Sequence, residues 1–363
     1  MPALTLPPAP RWIAPPVTQE TIHWADLAVI DLAKAKTPEG RAEQVRIASN
    51  AMHNDGFFYV VNHGLEQPKN DRMLDIGSVA FDGVSRDEKL RYEARIKETG
   101  TYLGYKLPQY WHIANGVKDR ITHYNLPRDV AERDHPAPLR PFLPEVQNMI
   151  QFTHCEVLGE VQKLLSLGLE LPENTLSDLH AFDDTNHSFW RFMMYDPRSA
   201  EEEEKTDGVW MKGHADHMSF TALWSQPISA LQIKDRDGKW RYVKHIPNAV
   251  IINCGDFTEY LTGGYYRSAV HRVIKPPADQ DGFRRLQCIY FQYTADPVVL
   301  RPLMDSPVLQ REGITKTLET DTPPTMEQWR KTRTGVYGVS ELKKAPDGSE
   351  YEIVLGARVI HHK

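Results

Sequence analysis

The sequence predicts a mainly β fold with helices packed around it. Between residues 208 and 295, short apolar segments alternate with turn residues, which is typical of consecutive strands. Earlier in the chain, apolar strands at 27–32 and 56–62 are followed by segments with helical periodicity. A chain of 363 residues, 40% of them apolar, is long enough to bury one large core beneath such an outer layer.

The chain is expected to divide into four parts. These are a proline-rich arm at 1–25, an amino-terminal region at 26–145, a long helix followed by a β core at 146–300, and a covering segment at 301–363. The covering segment is polar with apolar islands, which predict a helix near Met326 and a final strand over 351–360.

The amino-terminal region carries clear helix signals. Thr37 can cap a helix that runs to Asn54, and Pro38 fits the first helical position. A second helix is predicted over 66–82. A charged helix over 85–96 should follow, because it starts with a capping-box pattern.

Residues 100–144 lose this periodicity and collect aromatic and histidine residues. They are interpreted either as a long surface loop packed by its own aromatics or, across 102–125, as a lid over an active site. Both interpretations stay open at this point.

The longest helical pattern covers 145–169, and its apolar stripe indicates a helix that packs on the core. An apolar strand ended by proline is predicted at 188–197. The acidic run at 201–204 is predicted to be a solvated loop.

Composition argues against several classes of protein. The formal net charge of −6 gives no basic excess for nucleic acid or a membrane surface, and no apolar stretch approaches the length of a membrane span. Three widely spaced cysteines do not form a disulfide framework and suit a reducing compartment. We therefore expect a cytoplasmic protein, monomer or homodimer, whose partner is a small-molecule substrate.

The strongest chemical signal is a metal site split between two segments. On an extended strand, His214 and Asp216 would share one face, and His217 would point away from it. His271, in a run at 265–274 that is predicted to be a neighbouring strand, can supply a third ligand. Two imidazoles and one carboxylate on one side of a metal leave the opposite positions open, as in non-heme Fe(II) oxygenases.

The tripeptide His-x-Asp is weak by itself, since about one copy is expected by chance in a chain of this composition. The chain contains two copies. The first, at 53–55, ends a helical pattern before a glycine and is interpreted as unrelated to a metal. The second, at 214–216, is followed by apolar strands, by His271, and by Arg285 and Gln287 on one face of a strand.

These motifs resemble the Fe(II)- and 2-oxoglutarate-dependent dioxygenases of the isopenicillin N synthase and plant flavonoid and gibberellin oxidase type. The resemblance covers about residues 25–300. It is carried by the histidines and aspartate above, by Arg285 in place of the arginine of an Arg-x-Ser motif, and by further matching segments at 29–32, 55–64, 237–241 and 253–256.

The resemblance implies a double-stranded β-helix, or jelly-roll, core of two facing sheets with the metal at its open mouth. It implies that His214, Asp216 and His271 are the Fe(II) ligands and the catalytic centre. The implied cosubstrates are 2-oxoglutarate and O2, with ascorbate as a candidate reductant.

Arg285 would hold the far carboxylate of 2-oxoglutarate with its planar fork, and Tyr195 would donate a hydrogen bond to the same group. Two positions depart from the family pattern. Gln287 stands where serine is usual, and Met193 where asparagine is frequent. Glutamine can still donate to a carboxylate but is longer, so the pose of the cosubstrate is open.

The expected function is oxidation of a small molecule, plausibly in secondary metabolism, with release of succinate and CO2. Hydroxylation, desaturation and ring formation are all open. Two alternatives are an iron oxidase that does not use 2-oxoglutarate and a binding protein without turnover. Candidates for substrate contact are His123, Asn125, Lys212, Phe220, Trp224, Phe291 and Gln292.

Overall fold

The computed structural model describes residues 6–314, 322–336, 343–344, 350–355 and 357–361, and the elements below lie within these ranges. The strands are β1 Val29–Asp31, β2 Phe57–Val61, β3 Gly104–Lys106, β4 His112–Ala114, β5 Val117–Lys118, β6 Ile121–Pro127, β7 Phe189–Tyr195, β8 Val209–His214, β9 Phe220–Trp224, β10 Leu231–Lys234, β11 Trp240–Tyr242, β12 Val250–Cys254, β13 His271–Ile274, β14 Arg285–Gln292, β15 Lys343–Lys344, β16 Glu350–Val354 and β17 Ala357–His361.

The helices include one long helical unit, in which a π-helical segment at 153–158 joins α5 to α6. The helices are α1 Pro38–Asn54, α2 Gln67–Ser78, α3 Arg86–Arg91, α4 Ile96–Thr99, α5 Leu143–Phe152, α6 Gly159–Gly168, α7 Thr175–Asp178, α8 Ala200–Thr206, α9 Asp256–Leu261, α10 Pro307–Arg311 and α11 Met326–Val336. Among these described helices, none has the length and apolar character needed to cross a membrane.

Two sheets form the core. The larger has eight strands in the order β1-β2-β12-β9-β14-β7-β6-β3, and the smaller has four in the order β11-β10-β13-β8. Every pairing within them is antiparallel except β1 with β2. The predicted double-stranded β-helix core with flanking helices is confirmed.

The large sheet is buried on both faces, because side chains alternate along each strand. In β2, Phe57 belongs to the apolar cluster shared with the small sheet, whereas Phe58 belongs to the cluster beneath the helices. The outer cluster includes Val146 and Ile150 of α5 and Val161 of α6, so the stripe predicted at 145–169 covers the sheet as expected.

Local signals set the first helix. Thr37 accepts a hydrogen bond from the Gly40 backbone N–H at 3.2 Å, and Pro38 occupies the first turn. The helix over 66–82 is also confirmed, as α2 and a π-helical turn that follows it. The charged helix over 85–96 is shorter than predicted. α3 ends at Arg91 because the backbone at 92–94 pairs with Tyr105.

The loop interpretation of 100–144 was wrong at its centre. Residues 121–127 form β6, which lies fully buried between β7 and β3 in the large sheet. Sequence periodicity missed it because both faces are covered, so polar and apolar residues do not alternate.

Two other expectations need correction. The acidic run lies in α8, not in a loop, because Ser199 and Glu202 form a reciprocal capping box. The strand expected over 265–274 starts only at His271.

The carboxyl-terminal segment places α11 against the core. Trp329 of α11 is buried and donates a hydrogen bond to the backbone carbonyl of His217, at 2.9 Å. The single final strand predicted over 351–360 is instead part of a small sheet in which β16 pairs with both β15 and β17, and residue 356 of that prediction lies outside the described residues.

Candidate metal centre and active site

Three potential metal ligands converge at the end of β8. Nε2 of His214 lies 3.8 Å from Oδ1 of Asp216, and Nε2 of His271 lies 3.7 Å from Oδ2 of the same carboxylate. One ligand atom from each of the three residues lies within 4.8 Å of the others, a spacing that suits a single ion.

Sheet register brings the two histidines together. His271 of β13 is paired with His214 of β8, and their ring centroids are 4.4 Å apart. β8 ends at His214, so Asp216 lies in the loop that follows rather than on the same strand. The geometry supports the prediction that these side chains converge. The turn after β8, and not alternation along a strand, places Asp216 beside the histidines.

Hydrogen bonds to backbone carbonyls determine which ring nitrogen of each histidine is available to a metal. Nδ1 of His214 lies 2.9 Å from the Lys212 carbonyl, and Nδ1 of His271 lies 3.2 Å from the Ala269 carbonyl. Because a carbonyl only accepts, each Nδ1 carries the proton and donates it. The lone pair of each Nε2 is therefore available to a metal.

The carboxylate is also held in place. Asn253 donates from Nδ2 to Oδ2 of Asp216 at 3.0 Å, and Asn253 in turn accepts from the Thr221 hydroxyl. The Asp216 carbonyl accepts from the Asp256 N–H at 2.7 Å. Gly255 permits this approach, since a Cβ there would lie 2.0 Å from the Met218 carbonyl oxygen.

Electrostatics keep His214 and Asp216 in their metal-binding forms. Burial lowers the pKa of His214 to about 4, so its imidazole is neutral at neutral pH. Burial by itself would raise the pKa of Asp216, but His271, His214 and the hydrogen bond from Asn253 hold that pKa below its usual range. A neutral imidazole and an ionised carboxylate are the ligand forms that bind Fe(II).

A buried guanidinium lies on the strand next to this centre. Arg285 is 2% exposed, and its Nε and Nη1 have no hydrogen-bond partner among the described residues. Burial lowers its pKa to about 10, which still leaves it charged. An unpaired buried charge is costly, so this site fits an anionic ligand such as a carboxylate beside the metal.

Tyr195 and Gln287 lie beside that guanidinium. Tyr195 is paired with Arg285 across the sheet, and its ring centroid is 5.4 Å from the arginine Cζ. Burial raises the pKa of Tyr195, which keeps the hydroxyl protonated, and its hydrogen bond goes to the weak acceptor Sδ of Met211 at 3.4 Å. Gln287 is buried and paired with Met193, and both line the cavity.

One cavity connects the three metal-ligand candidates with Tyr195 and Gln287, whereas Arg285 lines a smaller neighbouring pocket that shares Leu223 and Leu231 with it. The larger cavity opens between the two sheets with an empty volume of about 870 Å³, its mouth included. Its walls are mostly aromatic and aliphatic, and its polar lining comes from a few convergent side chains. The lining comprises Phe57, Tyr102, Trp111, Phe189, Arg191, Met193, Tyr195, Met211, His214, Ala215, Asp216, His217, Met218, Thr221, Leu223, Leu231, Asn253, His271, Val273, Gln287, Ile289 and Phe291.

Of the predicted substrate contacts, Phe291 lines this cavity. Phe220, Trp224 and Gln292 were placed wrongly, because they point to the opposite face of the sheet. The two aromatic residues pack in the cluster beneath the helices, and Gln292 accepts a hydrogen bond from Gln162 at 2.6 Å.

The other three predicted contacts do not line the cavity either. Lys212 is exposed on β8. His123 is buried behind Trp111, with ring centroids 5.3 Å apart. Asn125 reaches the site only through Arg191, whose Nε donates to it at 2.7 Å.

The lid interpretation of 102–125 stays a prediction, and two residues of that segment lie at the site. Tyr102 and Trp111 line the cavity. Trp111 is held by a buried ion pair between Lys106 and Asp119, in which the carboxylate accepts from the Trp111 N–H at 2.6 Å. The lysine Nζ also lies 4.2 Å from the indole centroid.

Sequence reasoning missed two polar residues in the cavity wall. His217 was expected to point away from the site, but it lines the cavity because the chain has left the strand by then, and it bonds the Tyr293 hydroxyl at 3.0 Å. Arg191 was not considered. An arginine within the apolar run at 189–195 is itself a signal, since a charge on a fully buried strand needs a partner.

Comparison with known families agrees with this geometry. Residues 186–292 match the 2OG-Fe(II) oxygenase superfamily. Residues 27–145 match the family described as non-haem dioxygenase in morphine synthesis N-terminal. The two matches together span both the metal-site strands and the amino-terminal layer.

Individual relatives cover most of the chain. A flavonol synthase/flavanone 3-hydroxylase of Eustoma exaltatum subsp. russellianum is 26% identical over 259 residues, 70% of this chain and 73% of the relative. Gibberellin 20 oxidase 5 of Arabidopsis thaliana is 25% identical, over 76% of this chain and 71% of the relative.

Solved structures share the fold. A full-length Neurospora crassa protein in complex with alpha-KG superposes with a TM-score of 0.73 at 19% identity, covering 88% of this chain and all (100%) of that chain. JOX2 in complex with 2OG, Fe and JA gives 0.65 at 21% identity, covering 86% and 87%. The matches to the two family models show that the chain belongs to the 2OG-Fe(II) oxygenase family, and as a member it is an oxidoreductase that uses Fe(II), 2-oxoglutarate and O2.

Proposed function

We propose that this protein is a dioxygenase that oxidises a small molecule in the cavity between its two sheets, with His214, Asp216 and His271 as the Fe(II) ligands. The observation that carries the assignment is their convergence within 4.8 Å beside a buried guanidinium that has no partner among the described residues. Bound iron and 2-oxoglutarate supply the oxidising chemistry, in which O2 is consumed and succinate and CO2 are released.

The protein's own residues then have separable tasks. Arg285 neutralises the far carboxylate of 2-oxoglutarate, and Tyr195 and Gln287 donate hydrogen bonds to it. Asn253 keeps the Asp216 carboxylate oriented. The apolar walls exclude water and hold the substrate so that one of its C–H bonds faces the metal.

The substrate is a small organic molecule of secondary metabolism. Support comes from the largely apolar cavity and from the relatives, whose names include flavonol synthase and gibberellin 20 oxidase. Structures of similar fold hold thymine in one case and JA in another. The reaction is hydroxylation, desaturation or ring formation.

Two measurements test this proposal. Anaerobic addition of Fe(II) and 2-oxoglutarate should produce a metal-to-ligand charge-transfer band, and admission of oxygen should then yield succinate in proportion to oxygen consumed. Oxygen uptake without succinate would favour an oxidase that does not use 2-oxoglutarate. If neither the band nor oxygen uptake appears, the chain is a binding protein with this fold.

Removing one ligand locates the site. Asp216→Ala should lose the band together with iron retention, whereas Asp55→Ala should keep both. Asp55 belongs to the other His-x-Asp tripeptide, where His53 bonds the Tyr265 carbonyl instead. Equal behaviour of the two variants would contradict the ligand assignment.

A further inference from the structure

A second buried guanidinium lies in the cavity, on the same strand as Tyr195. Residues 189, 191, 193 and 195 of β7 all line the cavity, because alternate residues share a face. Arg191 is four positions from Tyr195, which places their Cα atoms roughly 13 Å apart along the strand. Arg191 is therefore the arginine that lines this cavity, whereas Arg285 lies on the neighbouring strand beside Tyr195 and lines a smaller pocket.

Neighbouring groups hold the Arg191 side chain in one orientation. Its Nε donates to Oδ1 of Asn125 at 2.7 Å, and Asn125 is fully buried. Its Cζ lies 4.5 Å from the ring centroid of Phe291 and 5.2 Å from that of Phe189. The Nε bond and the aromatic faces leave the two terminal nitrogens as a planar fork for a ligand.

The charge of Arg191 is not balanced by an ion pair within the described residues. Burial lowers its pKa to about 10, so the guanidinium remains protonated at neutral pH. Asp216 is the one carboxylate among the groups that raise this pKa, and its negative charge is offset once it binds a metal dication. The loaded site thus presents a buried cation whose compensation must come from a ligand.

We propose that Arg191 binds a carboxylate of the substrate, and that the substrate is an organic monocarboxylate with an apolar body. The inference rests on the proposed function and narrows its substrate class. The body would pack against Phe291 and Phe189, whose rings lie beside the guanidinium, and against Trp111, which also lines the cavity. Pairing through the fork fixes one end of the substrate, so the body projects toward the metal centre.

The first test uses the wild-type protein. Phenylacetate and 3-phenylpropanoate are compared with their primary amides, which have the same shape without the charge. Binding to the anaerobic Fe(II) and 2-oxoglutarate complex is followed by tryptophan fluorescence, for which Trp111 in the cavity wall is a reporter. Since a hydrogen bond to a charged group contributes about 1.5–3 kcal/mol, the acids should bind about ten- to a hundredfold more tightly.

Variants assign that preference to the arginine. Arg191→Met should abolish the preference for acids, Arg191→Lys should keep part of it, and Asn125→Ala should weaken it by loosening the fork. Arg128→Met is the matched control, because Arg128 also lies over an aromatic ring, Phe182 at 5.2 Å, and does not line the cavity. Its preference should equal that of the wild type.

The outcomes separate the two proposals. If no acid binds more tightly than its amide, or if Arg191→Met prefers acids as strongly as the wild type, the carboxylate inference is overturned. If the preference is present but Fe(II) and 2-oxoglutarate give neither the charge-transfer band nor oxygen uptake, the inference stands and the oxygenase proposal fails. In metal-free protein the acids should still bind more tightly than their amides, since Arg191 is not a candidate metal ligand.

Discussion

Nδ2 of Asn253 donates a 3.0 Å hydrogen bond to Oδ2 of Asp216, the same oxygen that lies 3.7 Å from Nε2 of His271. This bond orients the carboxylate toward the point where both imidazoles converge. It also couples the metal site to the centre of the large sheet, because Asn253 belongs to β12. The orientation of the acid is thus set by a strand that contributes no ligand.

Asn253→Ala should therefore weaken Fe(II) binding by about 10- to 100-fold, as loss of such supporting hydrogen bonds does in other metal sites. Fe(II) titration followed by the anaerobic charge-transfer band measures the change. Asn186→Ala is the control, since Asn186 bonds only its local loop. An unchanged Kd for iron in Asn253→Ala would mean that the bond is dispensable.

Arg285→Met should raise the concentration of 2-oxoglutarate needed for half-maximal turnover by about tenfold or more, because a charge-assisted pair is lost. Iron retention should remain near the wild-type value, in contrast to Asp216→Ala. The melting temperature should be unchanged or higher, since an unpaired buried charge is removed. Iron loss equal to that of Asp216→Ala would contradict this division of roles.

Gly255→Ala should destabilise the fold by about 1–3 kcal/mol, because the added Cβ would lie 2.0 Å from the Met218 carbonyl oxygen. The loop that carries Asp216 would have to move, so iron affinity should fall as well. Gly159→Ala in α6 is the matched control, since its Cβ would meet ordinary contact at 3.6 Å. Chemical denaturation should show Gly159→Ala equal to the wild type or more stable.

Stability should fall as the pH drops below about 6.5, the pKa of an unfolded histidine. Burial lowers the pKa of His154 to about 4 and that of His180 to about 3. Between those values and 6.5 the unfolded chain binds protons that the folded chain does not. Each such histidine therefore lowers the free energy of unfolding by about 1.4 kcal/mol for each unit that the pH falls within that window. Below the pKa of the folded state it causes no further loss.

The measurement is the free energy of unfolding between pH 7 and pH 5, by denaturant titration. His180→Gln should reduce the pH slope by about one proton. A wild-type protein whose stability does not fall over this range would disprove the assignment of buried neutral histidines.

Much of the fold could be predicted because its signals are local. Thr37 and Pro38 set the start of α1, and the unbroken apolar run of β2 indicated a strand covered on both sides. The errors have physical causes as well. β6 carries polar residues that are nevertheless buried within the large sheet. The acidic run is helical because Ser199 and Glu202 cap the start of α8 with reciprocal hydrogen bonds.

The sequence by itself determined the chemistry: two histidines, one aspartate and a following arginine, in an order and spacing typical of this family. Tertiary structure alone decided what surrounds them. Which face of a strand a residue occupies depends on where pairing starts and stops, so Phe220 and Trp224 lie beneath the helices while His217 and Arg191 reach the cavity. Whether a charged residue on a buried strand has a partner depends on the side chains of the neighbouring strands, and only the tertiary structure shows which strands those are.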